Sequence, residues 1–286
     1  MGGSLTARRP GCGVRMRPLA WRCRVAYHRP METIRIQGIA LEVERVAPAA
    51  HRSLAPIVFL HEGLGSVAMW RDWPREVCAA SGRAGIVYSR RGYGGSDTVP
   101  DVRGTGRLTA DYLHKEAFEV LPELLARLEI GKPVLLGHSD GGSIALLYAS
   151  RYPVRACIVM APHVMVEEVS LRSIEDARSA YGSGLRERLK RFHSDVDTAF
   201  WQWNDVWLSP GFASFDIRSD CRRISAPLLA IQGHDDSYGS MRQIEEIAPT
   251  QGRYAMEKLA ACGHSPHRDQ PALTRQLVTK FLAGLP

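Results

Sequence analysis

No apolar run in this chain of 286 residues approaches the roughly 20 residues a bilayer-spanning helix needs, which excludes such a helix. Paired cysteine spacing is missing as well. Cys12, Cys23, Cys78, Cys157, Cys221 and Cys262 are scattered, with no metal-ligand motif among them. Reduced thiols in a cytoplasmic protein, with no metal site, are therefore expected. Internal repeats and low-complexity tracts are absent. Residues 1–30 lack lysine and acid altogether but carry seven arginines, at positions 8, 9, 15, 17, 22, 24 and 29. Of the 37 basic residues, the 30 that remain face 30 acidic ones, so the formal charge of +7 belongs to this leader. A neutral body removes the case for a nucleic-acid partner.

The leader has three readings: an arginine-rich targeting segment, a disordered basic arm, or an extension upstream of a true start at Met31. It has no apolar stretch of secretory type. The fold signal Glu32-Thr33-Ile34-Arg35-Ile36 begins directly after Met31, which favours the third reading.

What is present is an ordinary globular composition, 45% hydrophobic and 23% charged. Residues 34–46 alternate around Gly38 as a hairpin would. Short continuous apolar runs follow at 56–60, 85–89, 133–136, 156–160 and 227–233, with a final strand at 253–257. Such runs suit strands buried on both faces. Helical patterns lie between them at 70–80, 109–128, 143–148 and 271–282, the second capped by Thr109 or Asp111. This alternation predicts an α/β fold with a mostly parallel, doubly wound sheet. Residues 162–220 break the rhythm with three helical segments, at 167–180, 185–193 and 198–207. They read as an inserted helical cap, which leaves 31–286 as one domain.

Gly137-His138-Ser139-Asp140-Gly141 lies where a strand run ends and a helical run begins. G-x-S-x-G in that context is a nucleophile elbow: small flanking residues let the chain turn sharply and lift the serine to a helix N-terminus. A serine nucleophile needs an imidazole, and the imidazole needs a carboxylate. Gly233-His234-Asp235-Asp236 follows one late strand and Cys262-Gly263-His264 follows the last. Asp236 is the expected acid, with Asp235 as alternative; His264 is the expected base, with His267 as alternative. The oxyanion donors are expected from the N–H of Asp140 and from Gly63 or Leu64 in the loop His61-Glu62-Gly63-Leu64-Gly65. His61 and His138 read as structural hydrogen-bonding residues, and Glu62 as a solvated loop residue rather than the alternative, a substrate contact. Asp140 either complements the helix dipole or attracts a cationic substrate group. Phe200, Trp203 and Trp207 share one helical face; they pack the cap or, in the case of Trp203 and Trp207, line an acyl pocket.

With these motifs and Arg91-Gly92-Tyr93-Gly94-Gly95-Ser96, the chain from Met31 onward resembles the α/β-hydrolase superfamily over essentially its whole length. Within it the sequence is similar to small single-domain esterases, meta-cleavage C–C hydrolases and biphenyl-hydrolase-like amino-ester hydrolases. The resemblance implies the α/β-hydrolase fold, a serine triad, no cofactor and a helical cap. It departs at Glu62, where glycine usually follows the histidine, and at Asp140, where methionine or glutamine is usual. A serine at the nucleophile position argues against dehalogenase and epoxide-hydrolase chemistry. The expectation is hydrolysis of a small carboxylic ester or thioester through an acyl-enzyme. The alternatives are C–C bond hydrolysis of meta-cleavage type, or a ligand-binding protein that kept this fold without turnover.

Overall fold

The computed structural model describes residues 1–2, 31–47 and 54–285. Apart from its first two residues, the arginine-rich leader, with Cys12 and Cys23, lies outside them. Strands β1 (Met31–Ile36) and β2 (Ile39–Val46) form the expected hairpin. Its two turn residues, Gln37 and Gly38, have φ of 52° and 82°, the left-handed pair that matches the twist of a tight hairpin.

Six more strands complete one sheet: β3 (Ile57–Leu60), β4 (Gly85–Tyr88), β5 (Val134–His138), β6 (Ala156–Met160), β7 (Leu228–Gly233) and β8 (Tyr254–Leu259). The spatial order is β1-β2-β4-β3-β5-β6-β7-β8. β2 runs antiparallel to both its neighbours, and β3 through β8 run parallel. The period of two within each apolar run explains why every residue in it is apolar. Val58 and Leu60 of β3 enter one core with Leu135 and Val159, whereas Ile57 and Phe59 enter the other with Leu136 and Ile158. Each such fully buried side chain contributes about 1.5–3 kcal/mol relative to exposure.

Two expected helices begin later than their sequence pattern. The first starts at Trp73, after a short 3₁₀ turn at Ala68–Trp70 and an Arg71 with φ of 54°; it ends at Ser81 against a left-handed Gly82. The second starts at Tyr112, and the expected caps do not cap it: the Asp111 carboxylate accepts from Thr109 and Lys115, and no side chain caps the helix N-terminus. Its ladder widens to a π turn over Glu116–Val120 before continuing as Leu121–Arg127. Pro122 has no N–H to donate, and the wider turn relieves its clash with the preceding carbonyls.

The stretch expected as a cap, about 162–220, holds the helices Glu168–Ala180, Arg186–Leu189 and Val196–Trp207. The last is capped by Asp195, whose carboxylate accepts from the Thr198 N–H at 2.9 Å. Helix Pro271–Ala283 closes the chain against the first helix. Among the described residues no helix is long and apolar enough to cross a membrane.

Candidate active site

The sharpest backbone feature is Ser139, at φ 52° and ψ −120° between β5 and the elbow helix Asp140–Arg151. A non-glycine residue held there stores about 1–3 kcal/mol of strain. The flanking glycines have an exact steric reason. A Cβ on Gly137 would lie 2.1 Å from the Gly141 carbonyl oxygen, and one on Gly141 would lie 2.0 Å from the Leu60 carbonyl oxygen. The turn exists only because both positions lack side chains.

Three further loops bring their residues to the same edge of the sheet, at the C-terminal ends of β3, β7 and β8, where open parallel sheets bind ligands. His264 Nδ1–H donates to Asp236, 2.9 Å from Oδ1 and 3.0 Å from Oδ2. Asp236 also accepts from Gln232 Nε2 at 2.9 Å and from the Tyr238 N–H at 2.8 Å. Burial alone would raise this carboxylate; the hydrogen bond and charge of His264 and the Tyr238 N–H outweigh it, and the pKa falls below the ordinary value. Asp235, the alternative acid, is exposed. His267, the alternative base, is buried between Trp70, Trp73 and His138, with both ring nitrogens lacking a partner.

Ser139 and His264 line one cavity of about 220 Å³, together with Gly63, Leu64, Trp203 and Trp207. A larger cavity of about 330 Å³ lies behind Arg90 and Tyr112, and neither Ser139 nor His264 reaches it. The Phe200 stripe therefore divides. Phe200 stacks on Tyr181 within the cap at 3.8 Å, while Trp203 and Trp207 face the cavity. Trp203 covers Gly63 so closely that a Cβ there would meet its indole nitrogen at 2.1 Å.

The loop after β3 is held from two sides. Arg90 donates to the carbonyls of His61 and Glu62 at 2.6 and 3.1 Å. His61 Nε2 accepts from the Arg90 N–H at 3.0 Å, so its Nδ1–H donates to the Glu62 carbonyl at 2.6 Å. From the cap, His193 Nδ1 accepts from the Gly94 N–H at 3.0 Å, which leaves Nε2–H to donate to the Leu64 carbonyl, also at 3.0 Å. Burial lowers both histidines below the ordinary imidazole value and favours these neutral tautomers. Gly63 and Leu64 of this loop line the cavity beside Ser139, and Asp140 opens the elbow helix next to it.

Two expectations need correction. Asp140 does not offer its carboxylate to the cavity. It is fully buried, accepting from Tyr112 Oη at 2.7 Å and Trp207 Nε1 at 3.2 Å, with Arg90 at 3.8 Å. Burial raises its pKa, partly opposed by Arg90 and the two donors. Glu62 is not a solvated loop residue: its side chain is 13% exposed, paired with Arg268 at 2.7 Å and 3.4 Å from His138 Nδ1. Arg90, His163, His193, Tyr238 and Arg268 were not singled out by sequence reasoning. None stands in a short motif, and each reaches the site through tertiary packing.

The alpha/beta hydrolase family model matches residues 57–277. The chain belongs to this family. It is 34% identical over 98 residues to the sn-1-specific diacylglycerol lipase ABHD11 of Danio rerio, covering 34% of this chain and 28% of that protein. The chain thus matches under a third of that relative's length. Against the Mus musculus protein of the same name it is 23% identical over 261 residues, covering 81% of this chain and 82% of the relative. Among solved structures, E-2-(acetamidomethylene)succinate hydrolase superposes with a TM-score of 0.69 at 18% identity, covering 90% of this chain and all of the other. That likeness speaks to the fold.

Proposed function

We propose that this family member is a serine hydrolase that cleaves a small carboxylic ester or thioester through an acyl-enzyme. The observation that carries the reading is His264, tied to Asp236 and opening with Ser139 onto one cavity. Asp236 fixes the imidazole with its proton on Nδ1, leaving Nε2 as the base. His264 removes the Ser139 proton as Oγ attacks the ester carbonyl. The N–H groups of Asp140 and of Gly63 or Leu64 receive the oxyanion. The imidazolium then gives its proton to the leaving alcohol or thiol. Water, activated by the same imidazole, releases the acid. The proposed reaction uses side chains, backbone N–H groups and water, and the cavity of about 220 Å³ suits a compact acyl group. The partner proposed is accordingly a small molecule.

The test is turnover of para-nitrophenyl esters beside labelling by a fluorophosphonate. Wild type should do both, and Ser139→Ala should lower turnover about a million-fold. Turnover restricted to a ring-fission dienone would move the reading to C–C bond hydrolysis. A protein that stays unlabelled and inert would be a binding module, and the proposal would fall.

A further inference from the structure

His163 follows β6 and lines the same cavity as Ser139 and His264. The side chain is 2% exposed, yet neither ring nitrogen finds a hydrogen-bond partner among the described residues. Only Nδ1 is sealed; Nε2 is open, in contrast to His267, where both nitrogens are sealed. A ligand cannot reach the sealed Nδ1, but Nε2 faces the cavity with no protein partner and is free to pair with a bound molecule.

The placement is rigid. The His163 N–H donates to Ser143 Oγ at 3.1 Å, and the same hydroxyl donates to the His163 carbonyl at 2.6 Å. Ser143 belongs to the first turn of the elbow helix, and its own N–H donates to the Ser139 carbonyl at 3.0 Å. One serine thus fixes His163 relative to the nucleophile. The ring meets Trp207 edge-on at 4.8 Å and lies 5.7 Å from the His264 ring. It therefore stands beside His264, on the wall of the cavity onto which Ser139 opens.

We infer that His163 reads a neutral oxygen substituent, a hydroxyl or keto group, on the first or second carbon of the acyl chain. An imidazole Nε2 accepts from a hydroxyl in one tautomer and donates to a ketone in the other, and nothing bonded to Nδ1 forces either tautomer. Burial, reinforced by the positive charge available to His264, depresses His163 to about 3, so it carries no charge to neutralise a carboxylate. The preferred substrates are thus neutral α- or β-oxygenated acyl esters or thioesters, a class that an acid-forming hydrolase converts to hydroxy or keto acids. This rests on the serine-hydrolase reading of the same cavity.

The test uses matched para-nitrophenyl esters in which a hydroxyl replaces a methyl: lactate against isobutyrate, and 3-hydroxybutyrate against 3-methylbutyrate. Wild type should favour the hydroxylated member of at least one pair by about tenfold in kcat/KM, the worth of one neutral hydrogen bond at a desolvated site. His163→Phe keeps the aromatic contact with Trp207 and should bring that ratio to about one, the comparison being made within each variant between the paired esters so that a change in overall turnover cancels. His163→Gln, which keeps a donor and an acceptor, should recover part of the preference. A wild type indifferent to both pairs, or a His163→Phe variant that keeps the wild-type ratio, overturns the inference and leaves the hydrolase reading standing. Absence of labelling and of turnover for every ester overturns both.

Discussion

Replacing Gly141 by alanine tests whether the elbow is held by packing between main chains. The added Cβ would lie 2.0 Å from the Leu60 carbonyl oxygen and 2.7 Å from that of His61. Carbon and oxygen approach to about 3.3 Å at closest. The elbow helix must therefore retreat from the end of β3 by about 1.3 Å. Neither side yields cheaply: Leu60 is locked in the parallel register with Gly137, and the helix is buried along most of its length. Overpacking of this kind costs on the order of 3 kcal/mol. In a chain of this size that lowers Tm by about 6–12 °C. The same retreat separates the Asp140 N–H from the Gly63–Leu64 donors. A misplacement of about 1 Å costs roughly a hundredfold in rate. Thermal unfolding followed by circular dichroism and kcat/KM on one ester measure both effects. A Gly141→Ala variant with wild-type melting and wild-type turnover would show that the elbow is not set by this contact.

Asp140→Asn should lower kcat/KM equally for α-amino esters and their deaminated counterparts, because Tyr112, Trp207 and Arg90 already occupy the carboxylate. A loss confined to amino esters would contradict that burial. Stability should fall with acid from about pH 6.5 downward, as His61, His163, His193 and His267 are all held below the ordinary value, chiefly by burial. A histidine with a lowered folded pKa binds its proton only in the unfolded chain between the two values, so each contributes up to about 1.4 kcal/mol of lost stability per pH unit there. Urea unfolding at pH 7.5 and 5.5 reads the difference, and His163→Phe should shrink it; equal stability at the two pH values would refute the burial of these rings as neutral groups. Asp236 adds a later step. Its folded pKa is lowered, so its contribution is present above about pH 4 and disappears as pH drops through the folded value. Wild type and Asp236→Asn should therefore converge in stability at the acid end of a urea titration, and a gap that widens there would reverse the sign of this argument.

Much of this arrangement was legible because it is local. Strand runs with the same apolar content on both faces, such as Ile57 to Leu60, announce a sheet covered on both sides. The glycines at 137 and 141 announce the elbow because no other residue fits there. What stayed hidden depends on contacts across long stretches of chain. Asp140 reads as an acid beside a nucleophile; only the approach of Tyr112, 28 residues earlier, and Trp207, 67 residues later, takes it out of the cavity. Glu62 draws its partner Arg268 from 206 residues away. Asp236 was legible from its place after β7, and the structure pairs it with His264 while the adjacent Asp235 points out to solvent.

His193 ties the cap to the loop that would stabilise negative charge, through one imidazole shared between Gly94 and Leu64. Lifting that corner of the cap to admit a substrate would release the Leu64 carbonyl and leave the Gly63–Leu64 turn held only by the Gly65 N–H on the Glu62 carbonyl, at 3.0 Å, and by Arg90 on the carbonyls before it. An open enzyme would then be a disarmed one, and water reaching the serine before the lid settles would find the machinery unassembled.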